Sequence, residues 1–323
     1  MFAYSGIGIR SRVRGLARSR MSRVPFAHSI ANQALDLITQ HSGIRETMHI
    51  CKRVLLPVTT TALLASTVLV STIVNADSNE KSERRPGICA HLPDHATFRD
   101  ALVAANHKVT ADNPGLPLDN QMWGTLVAAE GTICAIASTG NDNLQSQWLA
   151  SRIISAQKAN TANSLSLGNN DGGSNAGLAL SSANLWAAVQ PGGSLYGLQH
   201  SNPVDASRAY KGSSRRFGTR RDPLVGIRIG GINVFGGGLA LYAQSGDRTG
   251  GVGVSGDTSC RDHMVAWEVR AGLMLDNVTA GVSGDPQRPD NIIFDTENGF
   301  GHPNCLAADA ETAAAGNLTA VPD

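Results

Sequence analysis

The residues best suited to chemistry are a lysine, a histidine and a tyrosine arranged in sequence around a run of three glycines. Gly236-Gly237-Gly238 opens an apolar strand pattern that ends on Tyr242. Glycines inside a strand weaken it and mark close approach of the backbone to a ligand or to another chain. Gly237 and Gly238 are therefore candidate binding positions, and Tyr242 would either stack on a planar ligand or pack in a core. His263 falls in the first turn of a helix pattern, just beyond Gly256-Asp257. An imidazole there can ligate a metal, and unpaired backbone N–H groups can hold an anion; the plainer reading is a surface or capping histidine. Lys158 sits mid-helix among alanines and small polar residues. It would meet a carboxylate-bearing ligand as a flexible point charge, or else be solvated.

Other chemistry leaves less trace. From residue 77 on the histidines are His91, His95, His107, His200, His263 and His302, and none pairs with another at metal spacing on one helix. His91 and His95 are four apart, but Pro93 between them spoils the helix that would align them. No C-x-x-C occurs, which argues against a zinc ribbon, a thioredoxin-type pair or c-type haem attachment. Ser255 lacks the G-x-S-x-G spacing of a nucleophile elbow, and no Gly-Lys-Ser/Thr follows the glycine run as in a phosphate loop. A hydrolase is disfavoured and a non-enzymatic binding protein expected.

These residues need elements to hold them. Phe98, Leu102, Ala105 and Val109 have helical spacing after the start signal Pro93-Asp94. Trp123–Ala129 and Thr132–Ser138 are short apolar runs around Glu130-Gly131 and predict a hairpin. Leu144–Leu167 carries Trp148, Ile153, Ala156 and Ala159 on one broad stripe and predicts the longest helix. Leu167–Gly177 is a loop by composition, Ser181–Val189 a short helix, and Val204–Arg228 a long polar insertion. Gly236–Tyr242 and Gly250–Ser255 form a second, glycine-broken hairpin around Gly246-Asp247. A closing helix follows, capped by Asp257, Thr258 or Ser259, with Met264, Trp267 and Ala271 or Leu275 as its stripe. This order suits an α+β fold, an antiparallel sheet with helices packed against it.

The ends read differently. Residues 52–76 have a basic start, an apolar stretch diluted by threonine and serine, and a small-residue end at Val74-Asn75-Ala76. That is the layout of a secretory signal cleaved after Ala76, so no lasting membrane span is expected. The segment 1–47 holds seven arginines, no lysine and no apolar periodicity, and is read as an upstream extension, with translation starting at Met48. The expected organisation is thus 1–47 extension, 48–76 signal peptide, 77–93 lead-in, 94–276 domain and 277–323 C-terminal extension. The last either wraps the domain or hangs free.

Removing the nine basic and two acidic residues of 1–76 from totals of 27 and 26 leaves 18 against 24, a formal charge of −6. The basic run Arg208, Lys211, Arg215, Arg216, Arg220 and Arg221, interleaved with Tyr210 and Phe217, superficially suits nucleic acid. The acidic balance argues against that partner; solvation, or contact with acidic segments of a neighbouring subunit, fits better. Cys89, Cys134, Cys260 and Cys305 form an even set for an oxidising compartment. They allow three connectivities; Cys89–Cys134 with Cys260–Cys305 is favoured because each pair would tie a flanking tail to the domain.

Three motifs in order carry a resemblance. IISAQKANTAN at Ile153–Asn163 has an A-K-A-x-T-A-like core on Lys158, Ala159, Thr161 and Ala162. GGGLALY at Gly236–Tyr242 and GGVGVSGD at Gly250–Asp257 are the other two, with QPGGSLYGL at Gln190–Leu198 as the joining segment. Over roughly residues 94–276 the chain resembles the GlcG/HbpS family of haem-binding or haem-degrading-like domains. The resemblance implies a PAS- or profilin-like α+β fold and an exported, periplasmic or extracellular homo-oligomer that binds haem or a related tetrapyrrole. The slot it suggests lies between Gly236–Tyr242, the Lys158 helix and the His263 turn, with His263 on the iron and Lys158 or an arginine facing a propionate. Two other readings stand beside it: a structural or sensory oligomer without a small ligand, and a haem-degrading redox enzyme. Filled space around Gly237 would favour the structural reading; an open apolar slot would favour the ligand.

Overall fold

The computed structural model describes residues 87–170 and 173–322; the upstream extension, the signal segment 48–76 and the lead-in before residue 87 lie outside them. Four strands, β1 Trp123–Ala128, β2 Ile133–Ser138, β3 Gly238–Tyr242 and β4 Arg248–Ser255, form one antiparallel sheet in the order β2-β1-β4-β3. The helices are α1 His95–Asp112, α2 Ser151–Leu165, the short α3 Leu198–Ser201 and α4 Ala206–Ala209, α5 Ser259–Gly272 and α6 Ala308–Gly316. The α+β architecture is as the sequence order implies.

Alternation along the strands decides which helix lies on which face. Leu126, Ala128, Val252 and Val254 join Phe98 and Leu102 of α1 and Met264 and Trp267 of α5 in the main core. Trp123, Val127, Ile133 and Ile136 point the other way, onto Ile153, Ala156 and Ala159 of α2. The sheet is therefore sandwiched, with α2 on one face and α1 and α5 on the other. Asp94 caps α1 by accepting the Thr97 N–H at 2.9 Å, and Thr258 caps α5 by accepting the Arg261 N–H at 3.2 Å.

Three expectations need correction. The helix read over Leu144–Leu167 begins only at Ser151. The Asp142 carboxylate accepts the N–H groups of Leu144 and Gln145 and fixes a turn there instead, which leaves Trp148 56% exposed, off the buried stripe. The helix read over Ser181–Val189 is two single turns of 3₁₀ helix, Ala183–Leu185 and Ala187–Val189. The closing helix, read as one apolar stripe, is buried on every side from Cys260 to Arg270. Residues 277–322 cause this: the Trp267 indole donates to the Thr319 carbonyl at 2.7 Å, and Thr319 in turn donates to Glu268.

Two disulfides, Cys89–Cys134 and Cys260–Cys305, close the favoured connectivity. One ties the turn before α1 to β2; the other ties the C-terminal segment to the start of α5. Among the described residues no helix is long and apolar enough to cross a membrane.

Candidate functional site

Glycines of β3 and β4 face α2 directly. A Cβ on Gly253 would run into the Ser155 carbonyl and come within 2.5 Å of the Ala159 nitrogen; one on Gly238 would strike the Lys158 carbonyl. The same holds for Gly251 against the Ala159 carbonyl. With no side chain at these positions, the helix backbone lies on the sheet at a distance that alanine would forbid. Thr125 and Ser155 bridge the same interface through a buried hydroxyl pair at 2.7 Å.

This close approach sets Lys158 in the interior. The residue is 1% exposed, and its ammonium donates to Asp262 Oδ2 at 2.7 Å and to the Val254 carbonyl at 3.2 Å. Asp262, in the first turn of α5, accepts the Asp257 N–H on its other oxygen at 2.9 Å. Gly237, at φ +116°, threads past the pair; a Cβ on it would meet the Val254 carbonyl, Asp262 Cβ at 2.9 Å and Lys158 Nζ at 3.2 Å. Ser182 holds the strand entry by accepting the Gly238 N–H at 2.8 Å and donating to the Phe235 carbonyl. Burial pushes the Asp262 carboxyl up to about 6 against the pull of Lys158, and pushes the Lys158 ammonium down.

The chain thus brings Lys158, Gly237, Gly238 and the start of α5 together, but fills the space between them. His263 is 0% exposed; its Nε2 accepts the Ile292 N–H at 3.1 Å beside Asn291 Oδ1, and burial holds its pKa at about 3. Nε2 is engaged, and Nδ1 is without a hydrogen bond but sealed in the interior with the rest of the residue, so a metal-ligand role at His263 does not fit this packing. Tyr242 closes the far end of β3, buried against Ala179, Ala240 and Val278, with its hydroxyl donating to the Leu167 carbonyl at 3.0 Å. Burial raises its pKa. A haem plane has no room among these five residues.

Sequence reasoning missed Asp262, which stands 104 positions from its lysine with no local pattern linking them. It also missed two further buried charge pairs, Arg270–Asp290, bidentate with both contacts at 2.7 Å, and Arg152–Asp222, and the pairing of buried Arg261 with the exposed Asp119 at 2.7 Å. The basic run of the insertion, by contrast, is exposed throughout. Of its two aromatics, Phe217 lies under the Arg152 guanidinium at 3.8 Å.

Open clefts lie elsewhere on the described residues. One, about 680 Å³, runs between α1 and α5 over Ala101, Ala104 and Leu273, with Lys108 and Glu268 among its lining residues and no imidazole. A second, about 440 Å³, contains His95, whose Nε2 is engaged by the Gly218 carbonyl at 2.9 Å. A third, about 550 Å³, lies at the Ala128 end of β1 and the Arg248 start of β4. Ile88, Ala128 and Ala243 supply its apolar wall; its polar groups are exposed His91, half-buried Arg248, the carboxylates of Glu130 and Asp247, and the hydroxyls of Ser245 and Thr249. The Cys89–Cys134 disulfide holds the His91 turn against β2. His91 makes no hydrogen bond among the described residues, and Arg248 bonds there through Nη1 alone, to Asn163 and Ala129.

The chain is similar to several solved structures. Among them are the Klebsiella pneumoniae protein ORFY, of the family model DUF336 (23% identity, 56% of this chain and 90% of that one, TM-score 0.34), and a PduOC–haem complex (22%, 54% and 91%, 0.34). Another is the Ybr137w protein (13%, 55% and 77%, TM-score 0.29). The first two are GlcG-like in fold, the group to which the sequence motifs point. No protein-family model and no curated protein matches the chain.

The buried imidazoles predict the response to acid. Burial depresses His263 to about 3 and His302 to about 4 from an ordinary 6.5, so both contribute stability above pH 6.5 that is lost as pH falls through those values. Asp262, raised from 3.8 to about 6, works the other way: it takes up a proton in the native state first. Between about pH 4 and 6 the unfolded chain therefore binds about one net proton more than the native one. Stability should fall by ~1.4 kcal/mol for each pH unit of acidification in that window. Chemical denaturation at pH 7, 6, 5 and 4 measures the slope; a flat profile would contradict the neutral, buried imidazoles.

Proposed function

We propose that the protein is an exported, non-enzymatic binding protein for haem or a related tetrapyrrole, held in the cleft at the Ala128 end of the sheet. The observation that carries this reading is an imidazole without a hydrogen bond among the described residues, a guanidinium and an apolar wall within one cleft of about 550 Å³, which Glu130 and Asp247 also line. These are the parts a haem site needs, an axial nitrogen, a cation for a propionate and a surface for the macrocycle. When bound, haem would supply a redox-active iron. The chain's own part is to present His91 Nε2 or Nδ1 from a disulfide-braced turn, to pair Arg248 with a carboxylate, and to exclude water along Ile88 and Ala243. Two disulfides are compatible with an oxidising destination.

The test is a haemin titration followed by absorbance. A saturable Soret shift is expected in the wild-type chain, abolished by His91→Ala. Arg248→Gln should weaken it about tenfold, the worth of one charge-assisted hydrogen bond. A shift indifferent to His91, or none that saturates, overturns this site.

The filled space around Gly237 favours a second reading, in which the glycine-rich strands serve packing alone and the protein acts by assembling. Exposed Leu144, Trp148 and Leu149, all in the segment before α2, would then be its contact patch.

A further inference from the structure

The disulfide at the start of α5 has a third member. Cys260 Sγ, Cys305 Sγ and a His302 ring nitrogen all lie within 4.8 Å of one another, in a setting where Cys260 and His302 are 0% and 2% exposed. His302 Nδ1 donates to the Pro303 carbonyl at 2.7 Å, which leaves the lone pair on Nε2. Nε2 faces Ser259 Oγ at 3.1 Å, and Ser259 Oγ is 3.4 Å from Cys305 Sγ. An imidazole whose far N–H is anchored on a carbonyl is oriented as metal-ligating histidines are. The Cys260 N–H, in the first turn of α5, donates to Cys305 Sγ at 3.2 Å, a bond that would also stabilise a thiolate there. In the sequence these ligands read as His302-Pro303-Asn304-Cys305 with Cys260 far upstream, so no C-x-x-C pattern announces them.

We propose that the dithiol form of the chain binds one zinc ion, or a similar borderline-soft cation, through Cys260, Cys305 and His302. The Ser259 hydroxyl or a water would be the fourth ligand. Two thiolates and one imidazole around a tetrahedral position are zinc chemistry. A thiol or phosphine reductant supplies two electrons, two protons complete the thiols, and the ion displaces those protons as it binds. The sulfurs then sit about 3.8 Å apart, as two Zn–S bonds of 2.3 Å at the tetrahedral angle require. The Cα atoms, 6.1 Å apart, need little movement, since rotation of the two side chains opens that distance. The same three residues therefore hold the C-terminal segment onto α5 in both conditions, by a covalent bond when oxidised and by a metal when reduced. This site lies past the Ser255 end of β4, whereas the haem cleft proposed above lies at its Arg248 end, and the two share no residue.

The test uses the full chain, reduced anaerobically with a phosphine and titrated with cobalt(II) and with zinc. One equivalent of cobalt should give thiolate-to-metal charge transfer and the intense visible bands of a tetrahedral ion, displaced by zinc. His302→Ala should weaken binding by at least tenfold, the Cys89→Ser/Cys134→Ser variant should leave it unchanged, and either Cys260→Ser or Cys305→Ser should remove the charge-transfer signature of a two-thiolate site. Alkylation mapped on the wild-type chain keeps the answer clear if a variant fails to fold: zinc should protect Cys260 and Cys305. No cobalt spectrum with all thiols free, or protection of Cys89 and Cys134 instead, overturns the proposal.

Discussion

Lys158→Met should cost about 3–5 kcal/mol of stability, among the largest losses available to a single substitution in this chain. The ammonium and its partner are each 2% exposed at the side chain, so Asp262 cannot turn to water when its cation is removed. It must either stay charged in the interior or take up a proton, and its carboxyl, already raised by burial, will do the latter. The variant should therefore recover part of its loss as pH falls below 6, which the wild type does not. The double variant Lys158→Met/Asp262→Leu should be more stable than Lys158→Met alone, since an apolar pair often replaces a buried ion pair at little cost. Recovery stays partial because the Asp257 N–H loses its acceptor. Denaturant midpoints for the three proteins decide the matter. A Lys158→Met midpoint within about 1 kcal/mol of wild type would show that the lysine is solvated after all.

Gly253→Ala is expected to lose about 3 kcal/mol or more, at or beyond the top of the usual range for overpacking. The added methyl would meet the Ser155 carbonyl and the Ala159 nitrogen, and backbone cannot rotate away as a side chain can. To admit it, α2 must rise off β4, which also strains the Lys158–Asp262 contact and the Thr125–Ser155 bridge on the same helix. Gly272→Ala is the control, because a Cβ at this helix end meets nothing within 4 Å. There alanine should be neutral or stabilise by up to about 1 kcal/mol. Equal midpoints for the two variants would refute the reading of β4 as a strand stripped of side chains to admit a helix.

The sheet and its main helices were legible because each shows its own period. Phe98, Leu102, Ala105 and Val109 mark α1, and Trp123–Ala128 and Ile133–Ser138 mark a hairpin, without help from elsewhere. The start of α2 was not, since Leu144 and Trp148 continue the helical spacing and only the Asp142 turn stops it. The glycines were recognised as places of close approach, but sequence cannot say what approaches; here it is α2 itself. His263 and Lys158 were singled out for chemistry by type and position, and both are interior groups whose partners, Ile292 and Asp262, lie far along the chain. His91 was passed over because its interest arises only when the ends of β1 and β4 gather apolar residues and Arg248 around it.

The all-round burial of α5 bears on how the chain can be made. One flank of this helix lies on a sheet built from residues that precede it, so that flank can dock as soon as it emerges from the ribosome. The other flank waits for Asp290 to meet Arg270, for Ala315 to meet Asn291 and for Thr319 to meet Trp267 and Glu268. Until some fifty further residues have been translated, the nascent domain carries an indole, a guanidinium and a carboxylate without their partners. Such a surface is a target for chaperones and for misassociation between chains under synthesis.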